Sequence, residues 1–260
     1  MQWGSALVWP GGVAEAADGG DTRVTALREA FEETSLLFDA RGYVVQVPNR
    51  EEARQSVHRD AGKFGLLAND LRLSLPVAAL KFLAHWTTPV AEKKRFNTFF
   101  YLAQIHGADA KKSLQVDASE SSQMVWLTPR DVLVQFAEGH VNLAPPQWFL
   151  LQQLSRFDSV EAALTSVSQM QRVEHIAPTI AIDDQSRPVI ALPGDELNDV
   201  ADNADAALVS RAGQRRRIVL SADASDPKKR AYEYQCNIPQ LQSFALDSFK
   251  ALSHTNRAKL

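Results

Sequence analysis

Between Thr22 and Leu36 the chain reads Thr-Arg-Val-Thr-Ala-Leu-Arg-Glu-Ala-Phe-Glu-Glu-Thr-Ser-Leu, and no other stretch limits the fold as strongly. Asp21 or Thr22 is placed to cap a helix. At about 100° per residue, Val24, Leu27, Ala30 and Phe31 fall on one face. Glu29, Glu32 and Glu33 fall together on the other, at i, i+3 and i+4. The apolar face calls for a core. The acid face calls for an answer to its own repulsion, which costs helix stability. Water is one answer, since acidic runs are common on solvated helix faces. A hard, oxygen-seeking cation is the other. Mg²⁺, or Mn²⁺ in its place, is held by a few carboxylates while it keeps waters and substrate phosphate oxygens. Arg28 stands beside the cluster, and its guanidinium can grip a carboxylate in bidentate fashion.

Upstream, the apolar run Ala6–Trp9 reads as a short strand, ended by Trp9-Pro10-Gly11-Gly12. Two adjacent glycines let the chain turn tightly and let its backbone approach a ligand. A strand, a Gly-Gly corner, a loop and a helix bearing Arg-Glu-x-x-Glu-Glu resemble the box of the Nudix hydrolases. That pattern is G-x5-E-x7-R-E-U-x-E-E-x-G-U, with U a bulky apolar residue. Gly12 opens it here, and Arg28, Glu29, Glu32, Glu33 and Leu36 match its second half. The first half departs from it. Asp18 stands where the first Glu belongs, and nine residues rather than seven separate it from Arg28. Ala30 is small for its U position, and Ser35 replaces the closing glycine, where the helix stop demands a residue that tolerates the left-handed conformation.

With 260 residues, 45% of them hydrophobic, the chain can bury a sizeable core as one large domain or one domain with an extension. A net charge of −3 argues against a general nucleic-acid binder. Cys236 is the lone cysteine, so no intrachain disulfide can form, which fits a reducing compartment. No apolar run has the length of a membrane span, and the start carries no basic or apolar leader segment. The last residues, Ala258-Lys259-Leu260, form a conservative variant of the Ser-Lys-Leu peroxisomal address, which an import receptor reads. Peroxisomal residence is expected if the source is a eukaryote, and a cytoplasmic one otherwise.

Along the chain, Leu36–Phe38 and Tyr43–Val47 read as apolar runs around a turn at Asp39–Gly42. Residues 51–69 read as helical, continued over 71–80 across Pro76. Strands are expected at Leu80–Trp86, Phe96–Ile105 and Ser122–Leu127, and helices at Pro129–Glu138, Gln147–Phe157 and Ser159–Ser166. Beyond Glu174 the texture changes to short strands at Thr179–Ile182, Val189–Leu192, Ile218–Leu220 and Tyr232–Cys236, with a basic run at Arg211–Arg217.

The resemblance widens downstream. Trp86-Thr87-Thr88-Pro89, then Arg95–Leu102, Pro145-Pro146-Gln147-Trp148 and Leu192-Pro193-Gly194-Asp195 look like successive blocks of one Nudix branch, the peroxisomal acyl-coenzyme A diphosphatases of the nucleoside diphosphate-linked moiety X motif 19 type. The resemblance implies an α/β fold, a Nudix-type α/β/α sandwich with a mixed sheet. It is expected over residues 1–172, with a β-rich extension at 173–260. The fold is expected to be N-terminally abbreviated, because the related enzymes place a longer segment before the box. It also implies Mg²⁺- or Mn²⁺-dependent hydrolysis of the diphosphate bond of coenzyme A or acyl-CoA. Another nucleoside diphosphate derivative, or binding without turnover, are the alternatives.

Carried over residue by residue, Glu29 and Glu33 hold the metal. Glu32 shares it or takes the water's proton, Arg28 orients Glu29, and Gly11 and Gly12 face the substrate. Arg95, Lys93 and Lys94 are candidate partners of the 3′-phosphate, although surface solvation also accounts for them. Glu120 is the nearest candidate for a further acid from a later loop.

Overall fold

Asp21 starts the first helix, its side chain accepting the backbone N–H of Arg23 at 2.9 Å. Helix α1 then runs over Thr22–Thr34. In the computed structural model, which describes residues 6–106, 124–170, 172–199, 210–222 and 230–238, the apolar stripe of α1 is buried. Leu27 and Phe31 share a core with Val57 of α2 (Arg50–Arg59), Phe64 of α3 (Gly62–Asp70) and Leu80. The Phe31 and Phe64 rings lie 6.1 Å apart. Burying a side chain of that size contributes about 1.5–3 kcal/mol.

The single helix expected over 51–69 is two helices. Asp60 is extended, and its Oδ1 accepts the N–H of Gly62 at 3.0 Å, a local bond that competes with helix continuation. The expected continuation over 71–80 is also absent. Arg72 takes a left-handed conformation (φ 51°), and Pro76 disfavours a helical residue before it, so only a single 3₁₀ turn forms at Val77–Ala79.

Strand β1 (Lys81–Thr87) pairs antiparallel with β2 (Asn97–Leu102) and parallel with the two-residue β3 (His175–Ile176), giving a mixed sheet in the order β2-β1-β3. Strand β2 is shorter than the sequence predicts. The strand expected at Ala6–Trp9 is reduced to a bridge from Ala6 to Asn142. Likewise Phe38 and Val44 form one bridge around a turn that Asp39 closes, its Oδ1 accepting the N–H groups of Arg41 and Tyr43 at 2.9 Å each. Of the strand expected at Ser122–Leu127, residues 124–127 are not extended into a sheet, and 122–123 lie outside the described residues.

Three helices follow. Helix α4 (Pro129–Ala137) opens on a capping box between Thr128 and Asp131. Helix α5 (Pro145–Leu154) carries its prolines in the first turn, and α6 (Val160–Ser168) is capped by Ser159. The C-terminal strands form a separate antiparallel sheet in the order β4-β5-β6-β7 (Thr179–Ile182, Pro188–Ala191, Arg216–Ala222, Arg230–Cys236). Phe149 of α5 packs edge-on against Trp86 of β1 at 5.6 Å and Tyr234 of β7 at 5.3 Å. One apolar cluster therefore takes side chains from both sides of residue 172.

The basic run at Arg211–Arg217 is only partly on the surface: Arg211 is exposed, but Arg216 and Arg217, which open β6, are buried. Arg217 is fully buried and grips Asp195 through Nε at 2.7 Å and Nη2 at 2.8 Å. Asp195 also accepts the N–H of Arg216 at 2.7 Å, and the Arg216 guanidinium holds Glu174 in bidentate fashion. The Leu-Pro-Gly-Asp block is thus the anchor of the second sheet.

Candidate active site

Arg28 is the hub on which the box is assembled. Its side chain is 3% exposed, on the side of α1 that faces the loop leading from Gly12. Nε and Nη2 bind the Asp18 carboxylate at 2.9 and 3.0 Å. Nη1 reaches Glu29 at 3.0 Å and Glu32 at 2.7 Å, and Nη2 also donates to Val13 O at 2.9 Å. The bidentate grip expected of Arg28 therefore goes to Asp18, and Glu29 receives a single bond. Asp18 further accepts the Thr25 hydroxyl at 2.8 Å and the Glu15 N–H at 2.9 Å. Burial works against its charge, but these bonds outweigh that cost and hold its carboxyl below the ordinary aspartate range. Burial likewise opposes the charge of Arg28, and its bonds to Asp18 and Glu32 more than offset it, so its guanidinium stays protonated.

The departures from the box pattern have local explanations. Gly19 and Gly20, both at positive φ (66° and 78°), follow Asp18 and take up the two extra residues before α1. Arg28 therefore still meets the acid upstream. Ser35 ends α1 in the left-handed region (φ 58°), with its N–H on Phe31 O at 2.8 Å and its hydroxyl buried without a partner.

The acid face of α1 is not a solvated one. The side chains of Glu29 and Glu32 are 13% and 8% exposed. The Gly-Gly corner closes over this face. Gly11 N–H donates to Glu33 Oε1 at 3.0 Å. Gly12 lies so close to Glu29 that a Cβ there would sit 2.5 Å from Oε1, so any other residue would displace the carboxylate. Glu29 and Glu33, one helical turn apart, thus each meet one of the two glycines. Glu32 shares Arg28 Nη1 with Glu29 but meets neither glycine in these bonds, and reaches His58, whose Nδ1 lies 3.3 Å from Oε2. Arg54 of α2 donates to the Glu32 carbonyl at 3.0 Å. A cleft of about 380 Å³ opens here, lined by Glu15, Arg28, Glu32, His58, Arg59 and Gly62 among others.

Sequence reasoning missed His58 and Arg54, since nothing in their spacing ties α2 to α1. Asp18 was findable, because it stands at the acid position of the box. Arg95 lies elsewhere, exposed in the β1–β2 turn, with Nε on Thr88 O at 3.1 Å. Glu120 lies outside the described residues.

Comparison with known proteins decides the family. The family model described as NUDT19 Nudix domain matches residues 19–154, more than half of the chain. The chain belongs to the Nudix family, in its NUDT19 branch. Curated relatives within it include an acyl-coenzyme A diphosphatase NUDT19 from Xenopus laevis, 27% identical over 195 residues, covering 68% of this chain and 50% of that protein. The human protein of the same name is 26% identical over 195 residues, covering 67% and 50%. A putative nudix hydrolase 7 from Caenorhabditis elegans is 28% identical over 155 residues, covering 58% and 50%. The chain thus spans about half the length of the curated relatives it matches. Among solved structures, a Nudix hydrolase from Alicyclobacillus acidocaldarius matches with a TM-score of 0.50 at 22% identity, covering 64% of this chain and 83% of that one. That likeness shows the shared fold.

Nudix proteins work with divalent metals, so the donor set can be tested against one. Among the described residues no group of three or more His, Cys, Asp or Glu side chains is gathered to hold an ion. Two carboxylates, Glu29 and Glu33, do lie at the corner, each against one of its two glycines. Mg²⁺ is commonly held by one or two carboxylates, with waters and substrate phosphates completing its shell, so this pair fits such an ion.

Proposed function

We propose that this chain is a Mg²⁺- or Mn²⁺-dependent diphosphatase. It cleaves coenzyme A or acyl-CoA to 3′,5′-ADP and 4′-phosphopantetheine or its acyl derivative. The observation that carries the reading is the pairing of Glu29 and Glu33 with Gly12 and Gly11. The names of the vertebrate relatives support the substrate class.

In this reading Glu29 and Glu33 hold the ion. A bound divalent cation polarises a phosphoryl oxygen and lowers the pKa of its water. Arg28 fixes Glu29 and ties the loop before α1 to the helix through Asp18 and Val13. Glu32 serves Arg28 from within the buried network. Diphosphate cleavage concentrates negative charge, so positioned donors such as the corner amides stabilise it. Arg95 is the proposed partner of the 3′-phosphate, carried on the β1–β2 turn.

The test is purified chain incubated with CoA while Mg²⁺ is titrated, with products separated by chromatography. The expected result is equal amounts of 3′,5′-ADP and 4′-phosphopantetheine. Intact CoA at every Mg²⁺ concentration contradicts the reading. A panel of nucleoside diphosphate sugars separates it from another Nudix specificity. Binding without turnover is a second reading, favoured by the commitment of Glu32 to Arg28 and His58. It predicts that CoA is retained and no product forms.

We also propose import through Ala258, Lys259 and Leu260, which lie outside the described residues. Fluorescent fusions with and without these residues test it, and identical distributions contradict it.

A further inference from the structure

We infer that Gly11 N–H and Glu33 form an exchangeable pair. In the absence of a cation the Glu33 carboxylate occupies the backbone donor that an incoming phosphoryl oxygen needs. When Glu33 turns to a divalent cation, it hands that donor to the substrate. The inference rests on the reading of Glu29 and Glu33 as cation ligands, and adds that cation and diphosphate binding are coupled through one hydrogen atom.

Three observations support it. Gly11 N–H donates to Glu33 Oε1 at 3.0 Å, so the corner amide is spent on an anionic oxygen supplied by the protein itself. Carboxylate and phosphate oxygens are the same kind of acceptor for a backbone N–H, and one N–H carries one hydrogen. The adjacent glycine is in register with the adjacent acid: Gly12 lies against the Glu29 carboxylate, with no room for a Cβ between them. The corner is therefore seated on two acids one helical turn apart. Finally, Gly11 has nothing within 4 Å of where its own Cβ would be. The Gly11–Glu33 bond itself lies at an exposed position, where a ligand can reach it.

The physical consequence is an order of events. A diphosphate that approaches two seated carboxylates brings anion to anion, which is repulsive. Compensation of Glu29 and Glu33 by a cation removes the repulsion and releases the donor in the same step. By linkage, the diphosphate must then strengthen cation binding by the same factor as the cation strengthens diphosphate binding.

The experiment uses the full chain labelled with ¹⁵N-glycine, which gives a spectrum for twelve glycines. Gly11→Ala, whose new methyl group meets nothing, identifies the Gly11 resonance by its disappearance. Three readings are taken on that resonance. Mn²⁺ broadening reports whether an ion sits at the corner. Amide hydrogen exchange with and without Mg²⁺ reports whether Glu33 lets go. Exchange after addition of methylenediphosphonate, a diphosphate that cannot be hydrolysed, reports the transfer.

The expected result is broadening by Mn²⁺, exchange about tenfold faster in Mg²⁺, as befits the loss of a charge-assisted bond, and slow exchange restored by the diphosphonate. Glu33→Ala, which removes the acceptor, should exchange fast without any metal. Broadening by Mn²⁺ with unchanged exchange in Mg²⁺ overturns the inference and leaves the cation site standing. Slow exchange in Glu33→Ala also overturns it. No broadening by Mn²⁺ overturns both the inference and the reading beneath it.

Discussion

Two buried arginines organise this molecule, and they do opposite work. Arg217 spends Nε and Nη2 on Asp195, which is fully buried and also holds two backbone N–H groups, and its Nη2 reaches Glu196 at 3.2 Å, an acid already committed to the Gly213 N–H at 2.7 Å. Arg28 has the same chemistry and the same burial, but it is shared among Asp18, Glu29 and Glu32. One of those acids, Glu29, continues outward to the Gly-Gly corner. The comparison teaches that a buried ion pair becomes a site only when one carboxylate keeps coordinating capacity at an open edge. The Asp195 cluster fastens a sheet. The Arg28 cluster fastens a loop and leaves acids at its rim.

The largest expected effect falls on turnover at that rim. Glu33→Gln or Glu29→Gln should lower CoA hydrolysis by about 10³-fold, the scale of losing an electrostatic stabiliser of the transition state. Thermal unfolding should be nearly unchanged, because the acids' mutual repulsion is relieved. Wild-type rates in either variant would put the chemistry elsewhere.

Next come the hubs themselves. Arg217→Ala should cost about 3–5 kcal/mol, since it strands a buried carboxylate. Arg28→Ala should cost about 3 kcal/mol, and Mg²⁺ should restore part of it, because a cation can stand in among Asp18, Glu29 and Glu32. Denaturant titrations with and without Mg²⁺ read this contrast. Equal Mg²⁺ responses in the two variants would erase the distinction between the clusters.

A smaller effect is that of pH. Burial, together with the ring of His85 stacked on it at 3.9 Å, pushes His175 below the ordinary histidine range, while Glu174 pulls the other way. The unfolded chain therefore binds more protons than the folded one between the two pKa values. The stability at stake is present above about pH 6.5 and is lost as pH falls through the folded value. Asp18 is also depressed, so its contribution is lost only in stronger acid, below about pH 4. Unfolding temperatures from neutral to mildly acidic pH should therefore fall in the wild type and flatten in His175→Asn. An equal slope in both would remove His175 from the account.

The smallest change should be a gain. Ser35→Gly relieves a left-handed serine and removes a buried, unpartnered hydroxyl, so it should stabilise the chain by about 1 kcal/mol. A loss of stability would mean that Ser35 has a partner beyond the helix end.

The same contrast explains what could be read from the sequence. The acids of α1, its apolar stripe and the glycine corner are local, within one helix and the loop before it, and period and spacing reveal them. Even there, the direction of Glu32 was hidden, because facing at i+3 does not say which neighbour arrives from α2. The partners of Arg216 and Arg217 lie 42 and 22 residues away in sequence, so nothing in the basic run itself showed that the second sheet would bury two of its arginines against Glu174 and Asp195. The break at Asp60 and the stop at Arg72 depended on single residues choosing local bonds or a rare conformation over the helix.

The account stands on Glu29 and Glu33 jointly holding a divalent cation against Gly11 and Gly12. Electron paramagnetic resonance of bound Mn²⁺ measures this most directly. It predicts Mn²⁺ bound by the wild type, retained in Glu32→Gln and lost in both Glu29→Gln and Glu33→Gln. Absence of bound Mn²⁺ in the wild type, or undiminished binding in Glu33→Gln, contradicts it.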